Sequence, residues 1–374
     1  MTRPRNQLDA RSLENPARQV EPPDVATVWR RWEPRFIAAG VDANIVTRLK
    51  SAIATWDEWL PAWTEVADEL AESAQEAFDR GRTLTAGQLW ARASVLHHFG
   101  GMYMISDLEQ FDTAHEHAVQ TFRTAAPLLE PPAHRVVGRL DGVEVAGYLR
   151  VPPSSPPPPV VMLFNGFEGT KEESNQRVGD LHERGLATLA WDGPGRGETW
   201  RNLPMTGDYG PAAGAMIDVL EHRDDIDASR IGAMGPNRGG FLAAKAAAHD
   251  PRIRALAVTS PGYDRRQTDW KTGYEEAFFL HLFQVGSSHE LAELPAAQSL
   301  TLEGEAHKIS CPTLIIAGDR DQGTHFEGSK RLYAELTAEK EWAVVKGSER
   351  NGNNVPYIVR PLMADFLAER LSAN

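Results

Sequence analysis

Chemistry in this chain concentrates at one glycine-flanked turn. The run Arg230-Ile231-Gly232-Ala233-Met234-Gly235-Pro236-Asn237-Arg238-Gly239-Gly240 reads as a strand, a sharp turn and the start of a helix. Glycines two before and two after Asn237 permit the strained geometry that lifts one side chain above a sheet, as in a G-x-S-x-G elbow. A serine at that centre becomes a nucleophile once a base takes its proton. An asparagine does not, because its amide has no oxygen comparable to an activated hydroxyl. Its N–H groups can instead hold developing negative charge.

Other reactive side chains are sparse. Cys311 is the only cysteine, which excludes an internal disulfide framework and a thiolate zinc cluster. His115 and His117 have helical spacing but no evident third ligand, so no metal centre is expected. His97 and His98 stand beside an apolar helical face, where a histidine is ordinarily a packing residue.

Two kinds of element must position the elbow. From Val25 to about Ala126 apolar residues recur at helical spacing, as in Trp56, Leu60, Trp63, Val66, Leu70, Ala74 and Phe78, and about five helices are expected, one of them N-capped at Thr85. Six of the ten tryptophans fall here (Trp29, Trp32, Trp56, Trp59, Trp63, Trp90), as an aromatic core or as the wall of a pocket for a flat substrate. After Pro132 short apolar runs alternate with helical stretches. Strands are expected at 143–151, 160–164, 186–191, 230–234, 255–259, 313–317 and 342–345, forming a mostly parallel sheet covered on both faces. Reactive groups then collect on loops at the carboxyl ends of the strands. The expected organisation is an extension over 1–24, a helical cap over 25–132 and an α/β core over 133–374, with the proline run 152–159 a surface connection.

Charge narrows the partners. Lys and Arg total 39 against 52 Asp and Glu, a net charge of −13, which disfavours binding along a phosphate backbone, so nucleic acid is not expected. Neither a signal-peptide core nor a run of about 18 apolar residues is present, so no membrane segment and a cytoplasmic location are expected.

The elbow has company: Asp192-Gly193-Pro194-Gly195-Arg196-Gly197 follows an earlier strand and Gly318-Asp319-Arg320-Asp321 a later one. Together these resemble the α/β-hydrolase family. The segment Asn165-Gly166-Phe167-Glu168-Gly169-Thr170-Lys171-Glu172-Glu173, the helical first third and the ending Asn353-Asn354-Val355-Pro356-Tyr357 resemble its branch with an N-terminal helical cap, which includes pseudooxynicotine hydrolases, FrsA-like proteins and polyketide-shortening hydrolases.

That resemblance implies a Ser-His-Asp triad. Its acid falls on Asp321, its nucleophile on Asn237 and its histidine on Arg350. A guanidinium cannot accept a proton near neutral pH, so acyl-enzyme hydrolysis is not expected. The backbone N–H groups of Phe167 and Arg238 match the family's oxyanion hole, which needs no particular side chain. Asp321 and Arg350 are expected in contact, as a loop brace or with the cation stabilising charge. Glu168 matches an acidic position near substrate in the capped branch, although Lys171, Glu172 and Glu173 equally suggest a solvated charged loop. His325, four residues past Asp321, is the nearest substitute base or a surface histidine.

The expected function is cofactor-independent and non-hydrolytic: an aromatic or polyketide-like small molecule bound between cap and core, with its enolate or phenolate stabilised during C–C bond formation such as Michael addition or aldol closure. The altered triad resembles α/β-hydrolase-like proteins that form C–C bonds in anthraquinone-fused enediyne biosynthesis. Two other readings stay open: a C–C bond hydrolase in which water attacks directly, and a silent carrier or resistance protein. A homodimer is the protein assembly expected.

Overall fold

The computed structural model describes residues 21–266 and 273–372. Of the extension expected over 1–24, residues 1–20 lie outside them.

Five helices come first: α1 (Val25–Ala38), α2 (Ala43–Ala52), α3 (Trp56–Asp79), α4 (Thr83–Gly101) and α5 (Leu108–Ala125). Side chains start most of them. Asp24 accepts from the Thr27 N–H, Asp42 from Asn44, and Asp107 from Glu109 and Gln110, while Thr55 and Glu58 form a capping box. Thr85 is not a cap. Gly81, at φ 73°, closes α3 so tightly that α4 begins at Thr83, which leaves Thr85 inside the helix. Trp29, Trp59 and Trp63 interlock with Phe36 and Phe99 as the core of this layer, whereas Trp32 faces a cavity described below.

Eight strands follow in the order β1-β2-β4-β3-β5-β6-β7-β8. They are β1 (Ala133–Leu140), β2 (Val143–Arg150), β3 (Pro159–Leu163), β4 (Ala187–Trp191), β5 (Asp227–Pro236), β6 (Ile253–Thr259), β7 (Thr313–Gly318) and β8 (Lys340–Val345). From β4 through β8 the pairing is parallel, and β2 joins antiparallel to β4. β1 has no counterpart among the apolar runs. It is an edge strand whose His134, Arg135 and Arg139 interrupt any apolar run, and its sequence signal is the Asp141-Gly142 turn, both residues at positive φ.

Helices cover both faces. α7 (Gly210–Glu221), α8 (Arg238–His249) and α12 (Thr324–Glu335) pack on one, and α6 (Gly179–His182) and α13 (Pro356–Leu371) on the other. Between β6 and β7 lie α9 (Gly273–Phe283), α10 (Ser288–Glu293) and α11 (Pro295–Gln298). α9 meets the helical layer where Tyr274 packs 5.5 Å from Tyr103, ring centre to ring centre. Among the described residues no helix is long and apolar enough to cross a membrane.

β3 pairs with β4 on one side and β5 on the other. This is the point at which strand order reverses, and a crevice opens beyond the carboxyl ends of β3 and β5. The elbow stands at its floor.

Candidate active site

β5 ends at Pro236 and α8 begins at Arg238, so the whole turn falls on Asn237, at φ 45° and ψ −114°. Such a conformation costs a non-glycine residue about 1–3 kcal/mol and persists only where its surroundings over-determine it. They do here. The Asn237 N–H donates to the Thr259 carbonyl at 2.6 Å, and the Phe241 N–H to the Asn237 carbonyl at 2.9 Å. A Cβ on Gly239 would lie 2.2 Å from the Phe164 carbonyl oxygen, and one on Gly235 would lie 2.5 Å from the Gly239 backbone. Both glycines therefore admit a strand-to-helix approach that no larger residue allows.

The side chain of Asn237 is held by a residue the sequence did not single out. Arg265, on the loop after β6, is buried and donates through Nη2 to Asn237 Oδ1 at 2.6 Å and to the Pro261 carbonyl at 2.6 Å. A guanidinium only donates, so the amide oxygen must face it, and the Nδ2 donors take the other side of the amide. Arg265 Nη1 lies 2.9 Å from His325 Nε2, which must then be the acceptor with the ring proton on Nδ1. His325 is buried in the first turn of α12 and does not line the cavity. The surface reading of His325 is therefore replaced by a packed one: the loop after β6 folds over it. The signal for Arg265 was its place just past a parallel strand, in Ser260-Pro261-Gly262-Tyr263-Asp264-Arg265.

Glu168 does not sit on a solvated loop. Lys171, Glu172 and Glu173 are all buried, because the segment after β3 turns inward and Asn165 Nδ2 ties it to the Thr170 carbonyl at 2.7 Å. Glu168 Oε1 accepts from Arg238 Nη1, and its Oε2 lies 3.9 Å from Arg35 Nη1 on α1. Arg35 grips Glu173 with two hydrogen bonds, of 3.0 and 2.8 Å. Burial pushes the Glu173 carboxyl up, but Arg35 and its partners outweigh that and hold it well below the usual range. Phe167 is buried against Phe279 at 5.3 Å, with the Arg238 guanidinium 5.1 Å above its ring.

Lys171 organises the floor of that loop. Its Nζ lies 2.6 Å from Glu172, 2.7 Å from Asp192 and 3.0 Å from Glu198. Those three carboxylates have the spacing of a metal site. The ammonium group takes the place an ion would occupy, so this donor set fits a lysine-centred cluster.

Asp321 follows β7 and is buried, and its Oδ1 stands 3.7 Å from Arg350 Nε on the loop after β8. The gap exceeds a hydrogen bond. Arg350, 43% exposed, reaches into the cavity.

That cavity, about 500 Å³, lies between α1, the end of α4, α9 and the elbow. Trp32, Met102, Tyr103, Tyr274, Phe278 and Phe279 supply its apolar walls, and Glu168, Asn237, Arg238, Arg265 and Arg350 its polar floor. Burial, with Glu168 nearby, holds the Tyr103 hydroxyl protonated well above its ordinary pKa. Such a chamber admits a flat, drug-sized ligand and presents donors and cations to its oxygens. Asn237, Arg350, Glu168, Arg238 and the Phe167 loop come together on it, Asp321 stands behind Arg350, and His325 stands behind Arg265.

Comparison with known proteins agrees with this architecture. The prolyl oligopeptidase family model matches residues 181–354. The chain is 31% identical over 306 residues to 2,6-dihydropseudooxynicotine hydrolase of Paenarthrobacter nicotinovorans, covering 81% of each protein. It is 29% identical over 224 residues to the hydrolyase poxO of Penicillium oxalicum, covering 56% of this chain and 53% of that one. A crystal structure of 2,6-dihydroxy-pseudo-oxynicotine hydrolase superposes with a TM-score of 0.83 at 28% identity, covering 91% of this chain and 95% of that one. AbyA5 shares the fold, with a TM-score of 0.65 at 16% identity over 94% of this chain and all of the other. With an elbow after the fifth strand, a helical layer over the strand ends and these relatives, the chain belongs to the α/β-hydrolase family, in the branch that carries an N-terminal helical cap.

Proposed function

We propose that this protein binds an oxygenated, flat aromatic or polyketide-like molecule between cap and core and stabilises its enolate or phenolate while a C–C bond forms, without hydrolysis. One observation carries the reading: the elbow residue is an amide whose oxygen is pinned by Arg265, leaving N–H donors where a hydrolase of this fold needs a nucleophile. Around it Arg350 supplies a permanent cation that no pH near neutrality can turn into a base. The site then acts by orientation and charge stabilisation.

In a Michael closure the enol carbon attacks the β-carbon of an enone within the same molecule. The alkene pair moves onto the carbonyl oxygen, where Asn237 Nδ2, the backbone N–H groups of Phe167 and Arg238, and Arg350 are the proposed holders of the charge. A proton lost from the enol returns to the α-carbon, so the product is an isomer of the substrate. The substrate supplies the nucleophile and the electrophile.

The hydrolases among the relatives favour one other reading, in which water attacks a C–C bond directly and the pocket holds the leaving enolate. It needs a base, and the two candidates are engaged: Glu168 with Arg238 and Arg35, His325 Nε2 with Arg265. Incubation with an enone-bearing aromatic polyketide in H₂¹⁸O decides between them. An isomeric product with a new ring and no label is the result expected. Label in a cleaved product overturns the proposal in favour of hydrolysis, and stoichiometric binding without conversion overturns it in favour of a carrier.

A further inference from the structure

Beside the main chamber lies a second, smaller hollow of about 40 Å³, walled in part by Phe111, Phe167, Trp200 and Leu282. Met102, Glu168 and Phe278 line both spaces, so the partition between them is one side chain thick. A single water needs about 10–15 Å³, so the hollow takes a few waters or one small substituent.

Its border also carries polar groups from five places in the chain: His98 on α4, His115 on α5, His281 on α9, Thr170 on the loop after β3 and Arg196 on the loop after β4. In each of them one buried polar atom has no hydrogen-bond partner among the described residues: Nε2 of the three histidines, Thr170 Oγ1 and Arg196 Nε. His98 Nε2 stands 3.4 Å from a Glu173 oxygen, but without hydrogen-bond geometry. Burial, with Arg201 adding to it, pushes His281 down to about 4, and burial lowers His115 as well. Both rings are therefore neutral near pH 7, and a neutral imidazole offers one donor, one acceptor and no net charge. These nitrogens do not have the spacing of a metal site, which among the described residues belongs to the Lys171 cluster.

A buried polar atom without a partner is costly, and five around one hollow call for a ligand that supplies partners. His281 is held in place facing this demand. Its ring stacks on Trp200 at 4.7 Å, and Phe111 packs edge-on against it at 5.9 Å. A hydroxyl matches the set, because it donates one hydrogen bond and accepts two, and so serves an imidazole in either tautomer. Asn237 and Arg350 border the main chamber and not the hollow, so an oxygen held here is a different one from the oxygen held at the elbow.

We infer that the hollow is a subsite for an uncharged hydroxyl substituent of the substrate, held by His281, His115 and Thr170 while the flat ring system fills the main chamber. The substrate class is then a hydroxyl-bearing aromatic or polyketide-like molecule whose hydroxyl reaches past Phe278. The inference rests on the main chamber being the substrate site, as proposed above.

Its test needs no turnover. Two probes of nearly one shape, 2-(hydroxymethyl)anthraquinone and 2-ethylanthraquinone, are titrated into the full chain by calorimetry. A purely apolar pocket favours the ethyl group, whereas a site built around a hydroxyl rejects the analogue that lacks it, so the hydroxymethyl probe is expected to bind at least about tenfold more tightly. His281→Phe and His115→Phe keep a ring and remove Nε2, and each should cut that preference below about threefold without weakening the ethyl probe. Equal affinity for the two probes, or a preference that survives both variants, overturns the subsite and leaves the main chamber as the aromatic site. Binding of neither probe overturns both. A crystal structure of the unaltered protein with the hydroxymethyl probe gives the decision without a variant. Its hydroxyl is expected within hydrogen-bond distance of His281 or His115 Nε2, and ordered water there with the hydroxyl elsewhere overturns the inference. Hydroxyl-selective binding without any product would leave the subsite standing and end the C–C bond reading.

Discussion

Arg265 Nη2 donates to Asn237 Oδ1 across 2.6 Å, and the same guanidinium reaches His325 Nε2 at 2.9 Å. One cation from the loop after β6 thus fixes both the rotamer of the elbow amide and the tautomer of the buried histidine. It occupies a role opposite to that of a catalytic base: it donates hydrogen bonds to both neighbours and accepts none.

Arg265→Met should therefore lower kcat by about 100-fold with KM changed far less, because a misaimed amide loses the transition state more than the ground state. The loss of hydrogen bonds to a charged donor should also cost about 2–3 kcal/mol of stability. Steady-state kinetics and urea denaturation read the two effects separately. Arg265→Lys should recover stability before it recovers rate, since an ammonium has the charge without the fork.

Arg350→Ala should slow the reaction by about 10²–10³-fold, the usual cost of removing one charge-stabilising donor, and barely alter the melting temperature. Its 3.7 Å contact with Asp321 and 43% exposure make it a weak brace, worth under about 1 kcal/mol. A fall in stability with unchanged rate would assign it to holding the loop.

The double change Asn237→Ser with Arg350→His places a nucleophile and a base on the two positions nearest the family's triad, with Asp321 behind. A burst of product with an activated aryl ester is the outcome anticipated, and it should vanish when either substitution is made alone. Silence in the double variant would mean that the two side chains do not meet over the cavity.

Lys171→Met should destabilise the fold by about 3–5 kcal/mol, because it strands Glu172, Asp192 and Glu198 with less compensating charge. The same cluster sets an acid limit. Burial pushes the Glu198 carboxyl up, yet Lys171 and then Arg135 and Arg123 bring it down to about 2 from an ordinary 4.5. A depressed carboxyl contributes stability above its unfolded pKa and loses it as pH falls toward the folded one. Urea midpoints should therefore decline between about pH 4.5 and pH 2 in the unaltered protein, and Glu198→Gln should flatten that decline.

Much of this molecule is written locally. Period 3.6 before Pro127 and short apolar runs after Pro132 are enough to specify helices above a parallel sheet, because burial of one face per helix and two faces per strand leaves few other arrangements. The glycines at 235 and 239 mark the elbow from chemistry alone, since only a missing side chain lets α8 approach β3 and β5 so closely. That Asn237 cannot act as a serine follows from its atoms. What the chain order does not disclose is which distant charges meet. Arg35 and Glu173 are 138 residues apart, and Arg265 and Asn237 are 28 apart on separate strand ends. Charged residues carry no periodicity that announces a burial site, so Lys171, Glu172 and Glu173 read as a solvated loop until the fold takes them inside. Desolvation then makes their partners obligatory, and it is the packing of cap on core that decides which guanidinium each carboxylate receives.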